Sequence, residues 1–380
     1  MAGICGRLAG RYLANDRGVA LIIVVFVVAL VTVLVLEYHY DAAVELDLAS
    51  NFGSDMQAYH LAMSGLSFAQ VLLRQDETDV DGPADLWYQL TAFPACFPPA
   101  QLVAMSSAET GGLLDPSSPE TDASASPEED GEQACVSLRI LDEERKLPIN
   151  RLIPASLEEE PDQTWIDIFE QFFVHMQIDP DRLEALIDWI DEDSDPRPGL
   201  GAERGYYEGL EFPYTPRNGP MQTPSELRLV RGFDAETLAR LFPGLEPEAV
   251  ADVDLGTNAY LTPYGAAPTG AGTGQEGAKV NLNTATAEVL QALLSGLQGG
   301  GGSLDAVEQI LVQREEEQFA SVSAVQEIIP EVTDLDAVAD VRSSIFRVEA
   351  VGVVGPIRKR VVAILQRTSQ NTEMIYFKVE

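Results

Sequence analysis

From Val19 to Leu36 the chain reads VALIIVVFVVALVTVLVL, an apolar run with no charge, glycine or proline. As a helix it would be about 27 Å long, close to the hydrocarbon thickness of a bilayer. The pattern therefore predicts one membrane-embedded helix carrying a large water-soluble body. Beyond the run, Phe52, Met56, Tyr59, Met63, Leu66 and Leu73 recur at spacings of three, four and seven, which is one apolar stripe on a continuing helix. Asp41, Glu45, Asp47, Asp55 and Arg74 share this segment, so the stripe is expected to bury against a sheet rather than lipid. His39 and His60 read as surface or packing residues.

Further along, the period changes twice. In CVSLRIL, Val136, Leu138 and Ile140 alternate with Ser137 and Arg139, the pattern of a half-buried strand. DEERK makes a turn, and LPINRL begins a second short strand. From about Leu157 to Asp340 the pattern is helical. Trp165, Ile168, Phe169, Phe172 and Phe173 form one stripe, and Leu183, Leu186, Ile187 and Ile190 another. SELRLVRGFDAETLARLF reads as two helices broken at Gly232, with Asp234 capping the second. Asn283 or Thr284 is expected to cap a helix through Leu294. Helices from Asp305 to about Gln318 and from Val322 to Ile329 follow. Strand patterns then return: Phe346, Val348 and Ala350 alternate with Arg347 and Glu349, and IRKRVVAIL and MIYFKV supply two more strands. Short turns between them predict an antiparallel sheet, interrupted by the helical block. Residues 75–100 are turn-rich, and 105–133 has the composition of a disordered acidic loop.

Charge narrows the choice of partners. Acidic residues number 61 against 24 basic, a formal charge of -37, which repels phosphate backbones. Ahead of the apolar run, Arg7, Arg11 and Arg17 outnumber Asp16, so that end should stay in the cytoplasm and the body lie across the membrane. Of Cys5, Cys96 and Cys135, only Cys5 lies in the leader. A Cys96–Cys135 disulfide and a pair of reduced, buried thiols are both open readings. No GxSxG, P-loop or HExxH pattern occurs, and His39, His60 and His175 have no catalytic or metal-ligand spacing. No enzymatic activity is expected.

No small-residue cleavage site immediately follows Leu36; the small residue, Gly18, sits before the run. A basic leader ending in glycine, followed at once by a long apolar helix, resembles the type IV prepilin-like signal. That resemblance implies cutting by a prepilin peptidase between Gly18 and Val19, with Val19 N-methylated. A plain uncleaved signal anchor is the alternative. Most pilins and pseudopilins carry glutamate at the fifth mature position, whereas Ile23 stands there. This resembles the K-type minor pseudopilin of type II secretion systems. A buried carboxylate needs a partner charge, and a tip subunit has no subunit above it to supply one. Isoleucine also fits any ordinary membrane helix.

DWIDEDSDPRPGLGAERGYYEG gathers Asp188, Asp191, Asp193 and Asp195, with Glu203 after a proline- and glycine-rich bend. Calcium takes six to eight oxygens on a loop that can wrap it. The spacing is not that of an EF-hand, and the residues alone equally describe a solvated helix end. The run through GAERGYY and PYTPRNGPMQTPSELRLVRGF closely resembles the insert domain of K-type pseudopilins. That resemblance implies calcium on Asp188, Asp191, Asp193, Asp195 and Glu203. Further on, NLNTATAEVL and the Arg-Glu helix after it resemble helix-hairpin-helix modules. The hairpin is replaced by GLQGGGGS, and Glu315, Glu316 and Glu317 stand where basic residues would meet phosphate. SAM-like helix packing without nucleic acid is therefore expected.

The resemblance to K-type minor pseudopilins covers nearly the whole chain apart from 105–133. It implies an α+β, pilin-like fold: a long N-terminal helix, its first half transmembrane, on an antiparallel sheet, with a large all-α SAM-like insertion between strands. The expected divisions are a leader at 1–18, the transmembrane and pilin helix at 19–75 and the first part of the pilin domain at 76–156. A helical insertion at 157–340 follows, with subdomains near 157–262 and 279–340, and then C-terminal strands at 341–380. The implied role is non-enzymatic: starting pseudopilus assembly at its tip, in the inner membrane, with the bulk of the chain periplasmic. The implied partners are the I-type and J-type minor pseudopilins and the prepilin peptidase. A minor pilin of a related type IV pilus and a membrane-anchored helix-hairpin-helix DNA-binding protein are the alternatives.

Overall fold

The computed structural model describes residues 16–76, 78–92, 96–102, 134–153, 162–244, 256, 259–265, 278–297, 304–368 and 371–380. The leader up to residue 15, the expected loop at 105–133 and the GLQGGGGS loop at 298–303 lie outside them. The chain divides into two compact units, Met1–Gln57 and Ala58–Glu380. Helix α1 spans Asp16–Gln75 and so contributes to both. In the first unit every side chain from Val19 to Gly53 is exposed. Among the described residues α1 is the one helix long and apolar enough to cross a membrane.

The second unit is built on a five-stranded antiparallel sheet. Its strands are β1 (Cys96–Phe97), β2 (Ala134–Asp142), β7 (Ile345–Val354), β8 (Ile357–Arg367) and β9 (Thr372–Val379), in the order β1-β2-β7-β8-β9. The turn between β7 and β8 uses Gly355 at φ 54°. Residues 58–75 of α1 pack on the face formed by Val136, Leu138, Ile140, Val348 and Ala350. From the predicted stripe, Leu66 and Leu73 are buried and Tyr59 and Met63 partly so. Phe52 and Met56 are exposed and belong to the first unit.

The seam against the sheet is made largely of small residues: Ala58, Ala62, Gly65 and Ala69. A Cβ on Gly65 would lie 2.7 Å from Val136 Cγ1, and one on Gly352 would overlap the Ala58 carbonyl oxygen. Helix and sheet therefore approach backbone to backbone. Helix α2 (Leu86–Ala92) closes the end of this core, with Trp87 edge-on to Phe346 at 5.2 Å.

Strand β7 departs from its half-exposed pattern. Arg347 and Glu349 are only 1% and 5% exposed, so β7 is buried on both faces. Arg347 pairs with Glu349 at 3.0 Å and Glu143 at 4.0 Å, while Lys146 donates to Glu143 at 2.7 Å and to the Gly256 carbonyl at 2.8 Å. Charges survive in this interior because they are paired and hydrogen-bonded.

The helical block enters between β2 and β7. It starts earlier than its periodicity suggests: Leu147, Ile149 and Leu152 join its core. Strand β3 (Leu147–Pro148) pairs in parallel with β4 (Leu261–Thr262), and β5 (Val280–Asn281) with β6 (Ala339–Asp340). Helix α3 (Gln163–His175) buries Trp165, Ile168, Phe169, Phe172 and Phe173, the predicted stripe. It packs on α7 (Ala287–Leu297) so closely that a Cβ on Gly296 would lie 2.6 Å from Ile168 Cα.

Before Gly232, which adopts φ 85°, the chain forms a short 3-10 helix, Pro224–Leu229, rather than an α-helix. After it comes α6 (Ala235–Leu241), capped by Asp234 as expected. The start of α7 differs from expectation. Thr286 Oγ1 accepts from Val289 N, while Asn283 exchanges two hydrogen bonds with the Phe319 backbone. The Thr284 hydroxyl donates to Asp142, which also accepts from Ser343 and Asn281, so Thr284 ties the block to the sheet and Asn283 ties two parts of the block together, instead of capping. Helices α8 (Leu304–Glu316), α9 (Val322–Ile328) and α10 (Leu335–Val338) complete the block.

Candidate functional site

The acidic site forms where α4 (Arg182–Ile190) ends. Leu183, Leu186, Ile187 and Ile190 anchor the helix in the core, and its last turn brings Asp188 and Asp191 together. Asp188 is fully buried. Its carboxylate accepts from Arg197 N at 3.1 Å as the chain bends back. The bend leads to the short helix α5 (Arg204–Tyr207), with Glu203 at its start. Asp188, Asp191 and Glu203 each offer a carboxylate oxygen within 4.8 Å of the others.

The charges oppose one another. Burial, and then Asp193, Asp188 and Glu203, push Asp191 up to about 7. Glu203 is raised by burial and then by Asp188, and Asp188 by burial. Asp191 Oδ1 and Glu203 Oε1 are buried with no hydrogen-bond partner. Unpaired buried carboxylate oxygens are costly unless a cation or proton meets them. This donor set of hard oxygens on an irregular loop fits calcium.

Of the five predicted ligands, the carboxylates of Asp188, Asp191 and Glu203 converge. Asp193 and Asp195 are exposed and stand outside that trio, and Asp193 Oδ1 accepts from Asp195 N at 2.7 Å. Asn218 was not singled out by the sequence. Its side-chain amide donates to the Asp193 carbonyl at 2.8 Å and to Glu203 Oε2 at 3.4 Å. The signal for it is the Asn-Gly pair, since Asn218 adopts φ 43°.

Elsewhere, Cys96 and Cys135 are disulfide-bonded with Cα atoms 5.4 Å apart, tying β1 to β2 across the segment that contains 105–133. Arg17, Gly18 and Val19 lie in the first turns of α1, and Ile23 is exposed on it. His39, His60 and His175 are all exposed.

Known proteins match this arrangement along its length. The family models described as type II secretion system (T2SS), protein K, match residues 145–245 and 280–343. The type II secretion system protein K of Aeromonas hydrophila is 25% identical over 366 residues, 94% of this chain and 95% of that protein. These matches agree in supporting a type II secretion system protein K. The protein K of Dickeya chrysanthemi is 34% identical over 152 residues, 39% of this chain and 34% of that protein. A chain in the GspK-GspI-GspJ complex from enterotoxigenic Escherichia coli superposes with a TM-score of 0.58 at 15% identity. The superposition covers 88% of this chain and 99% of that one, and at this identity it speaks for the fold alone. The first family match contains the whole acidic site, and the second contains α7 to α10. The role of the chain is that of a minor pseudopilin in type II secretion.

Proposed function

We propose that the chain starts pseudopilus assembly from the inner membrane and occupies the tip of the filament, with its second unit in the periplasm and no chemistry of its own. The observation that carries this reading is α1: one helix holds an exposed apolar run with Ile23 at the fifth position and a seam that packs on a pilin-like sheet. Cleavage by a prepilin peptidase between Gly18 and Val19 would free that helix to leave the bilayer. The partners are the I-type and J-type minor pseudopilins, supported by the company GspK keeps in the E. coli complex. Co-expression with the I-type and J-type proteins of the same system is expected to yield a complex that survives affinity purification and gel filtration. Recovery of this chain alone would overturn the assignment of partners.

The acidic site is proposed to hold calcium through Asp188, Asp191 and Glu203. The ion would supply the positive charge that Asp191 Oδ1 and Glu203 Oε1 lack and would fasten the bend to α4. Titration calorimetry of the wild-type chain should record calcium binding at this site, and Asp191→Asn should weaken that binding event at least tenfold. Equal binding by wild type and variant would refute this ligand set.

A further inference from the structure

A second acidic group lies far from this loop in sequence, between α1 and α2. Asp76, Asp81 and Asp85 each offer a carboxylate oxygen within 4.8 Å of the others. Asp81 is fully buried, and its Oδ1 has no hydrogen-bond partner. Arg367 at the end of β8 answers part of this charge. It pairs with Asp76 at 2.9 Å and with Asp81 Oδ2, donates to the Ser343 carbonyl at 2.7 Å and stacks over Phe346 at 4.9 Å.

Both oxygens of Asp76 are taken, Oδ2 by Arg367 and Oδ1 by Thr78, whereas Asp81 is bonded through Oδ2 only. Asp81 Oδ2 also accepts from Ser343 N at 2.8 Å, Asp85 Oδ2 from Gly82 N at 2.7 Å, and Asp76 Oδ1 from Thr78 N at 3.1 Å. Three carboxylates against one guanidinium leave two negative charges. The unpartnered Asp81 oxygen therefore lies in a nearly dry group that one divalent ion would neutralise.

We propose that Asp76, Asp81 and Asp85 form a second cation site, for calcium, independent of the acidic loop at α4. All three donors are hard oxygens on an irregular loop, and Asp76 lies where water can complete the coordination. The site sits at a junction. Asp81 N donates to the Val341 carbonyl at 2.9 Å, the Asn281 amide donates to the Asp81 carbonyl at 3.1 Å, and Ala84 N donates to Gln318 Oε1 at 3.2 Å. An ion there would clamp the end of α1 to the sheet and to the helical block.

The test uses the full chain in detergent and the double variant Asp191→Asn, Glu203→Gln, which disables the acidic loop. At an ionic strength that screens loose surface binding, calorimetry should still record one calcium ion per chain. Calcium should also raise the melting temperature by several degrees over the chelated protein. Adding Asp85→Asn should abolish both effects without lowering the melting temperature in chelator, because asparagine can still accept from Gly82 N and one like charge is removed. Asp76→Asn, made separately, should also abolish calcium binding and the calcium-dependent rise, although its melting temperature in chelator falls with the loss of the Arg367 ion pair, and it serves if the Asp85 variant is poorly folded. The proposal is overturned if the double variant binds no calcium, or if a folded Asp85 or Asp76 variant binds as much as its parent. Because the acidic loop is disabled throughout, failure of the calcium assignment there leaves this result readable.

Discussion

Gly352→Val is expected to destabilise the second unit by about 3 kcal/mol, at the upper end for overpacking. The added Cβ would overlap the backbone carbonyl of Ala58, which cannot rotate away as a side-chain end could. Relief requires α1 to lift from β7, opening the seam of Ala58, Ala62, Gly65 and Ala69. Gly53→Ala is the matched control. Its Cβ meets nothing within 4 Å, so the change should be neutral or should stabilise the helix by up to roughly 1 kcal/mol. Chemical denaturation of the purified chain measures both. Equal stability of wild type and Gly352→Val would mean that helix and sheet do not make this approach.

Gly18→Glu is expected to leave the leader attached and to abolish secretion through the system. The small residue lies immediately before the apolar run, and a carboxylate there puts bulk and charge at the bond to be cut. An uncleaved chain keeps Arg7, Arg11 and Arg17 ahead of the span. Drawing three guanidinium groups through the bilayer with the helix would cost several kcal/mol each by the lower estimates, so the helix stays anchored. Anti-chain blots should detect only the precursor size, and secreted protein should accumulate inside the cell. A variant processed like the wild type would refute the cleavage site.

The elements that could be read in the sequence were those whose period comes from large apolar side chains. The aromatic stripe of α3, the alternation of β2, and the caps and glycines around α6 needed only local chemistry. The missing parts depend on neighbours that no local pattern names. Alanine and glycine at 58, 62, 65 and 69 look featureless until a sheet lies against them. Arg347 and Glu349 read as an exposed face because the Glu143 that meets Arg347 comes from the turn after β2 and the Arg360 that meets Glu349 comes from β8. Asn283 and Thr284 are good capping residues, but Phe319 and Asp142 compete for them, leaving the cap to Thr286.

The same limit applies to the acidic site. Composition found the cluster, and the end of α4 decided which carboxylates face inward. Asp188, Asp191 and Glu203 converge because two follow the buried face of a helix and one begins the next. Asp193 and Asp195, on the extended loop, turn outward. Asn218 is too distant in sequence for spacing to connect it. In the loop at 76–85, the demand for a cation comes from the burial of Asp81, which only the fold supplies.

The central claim is that the apolar run is an assembly helix released by processing, and its most direct test is the mass of the mature amino terminus. Chain purified from membranes of cells with an intact secretion system should begin at N-methylated Val19, with residues 1–18 gone. A mature chain that still begins at Met1 would contradict the account.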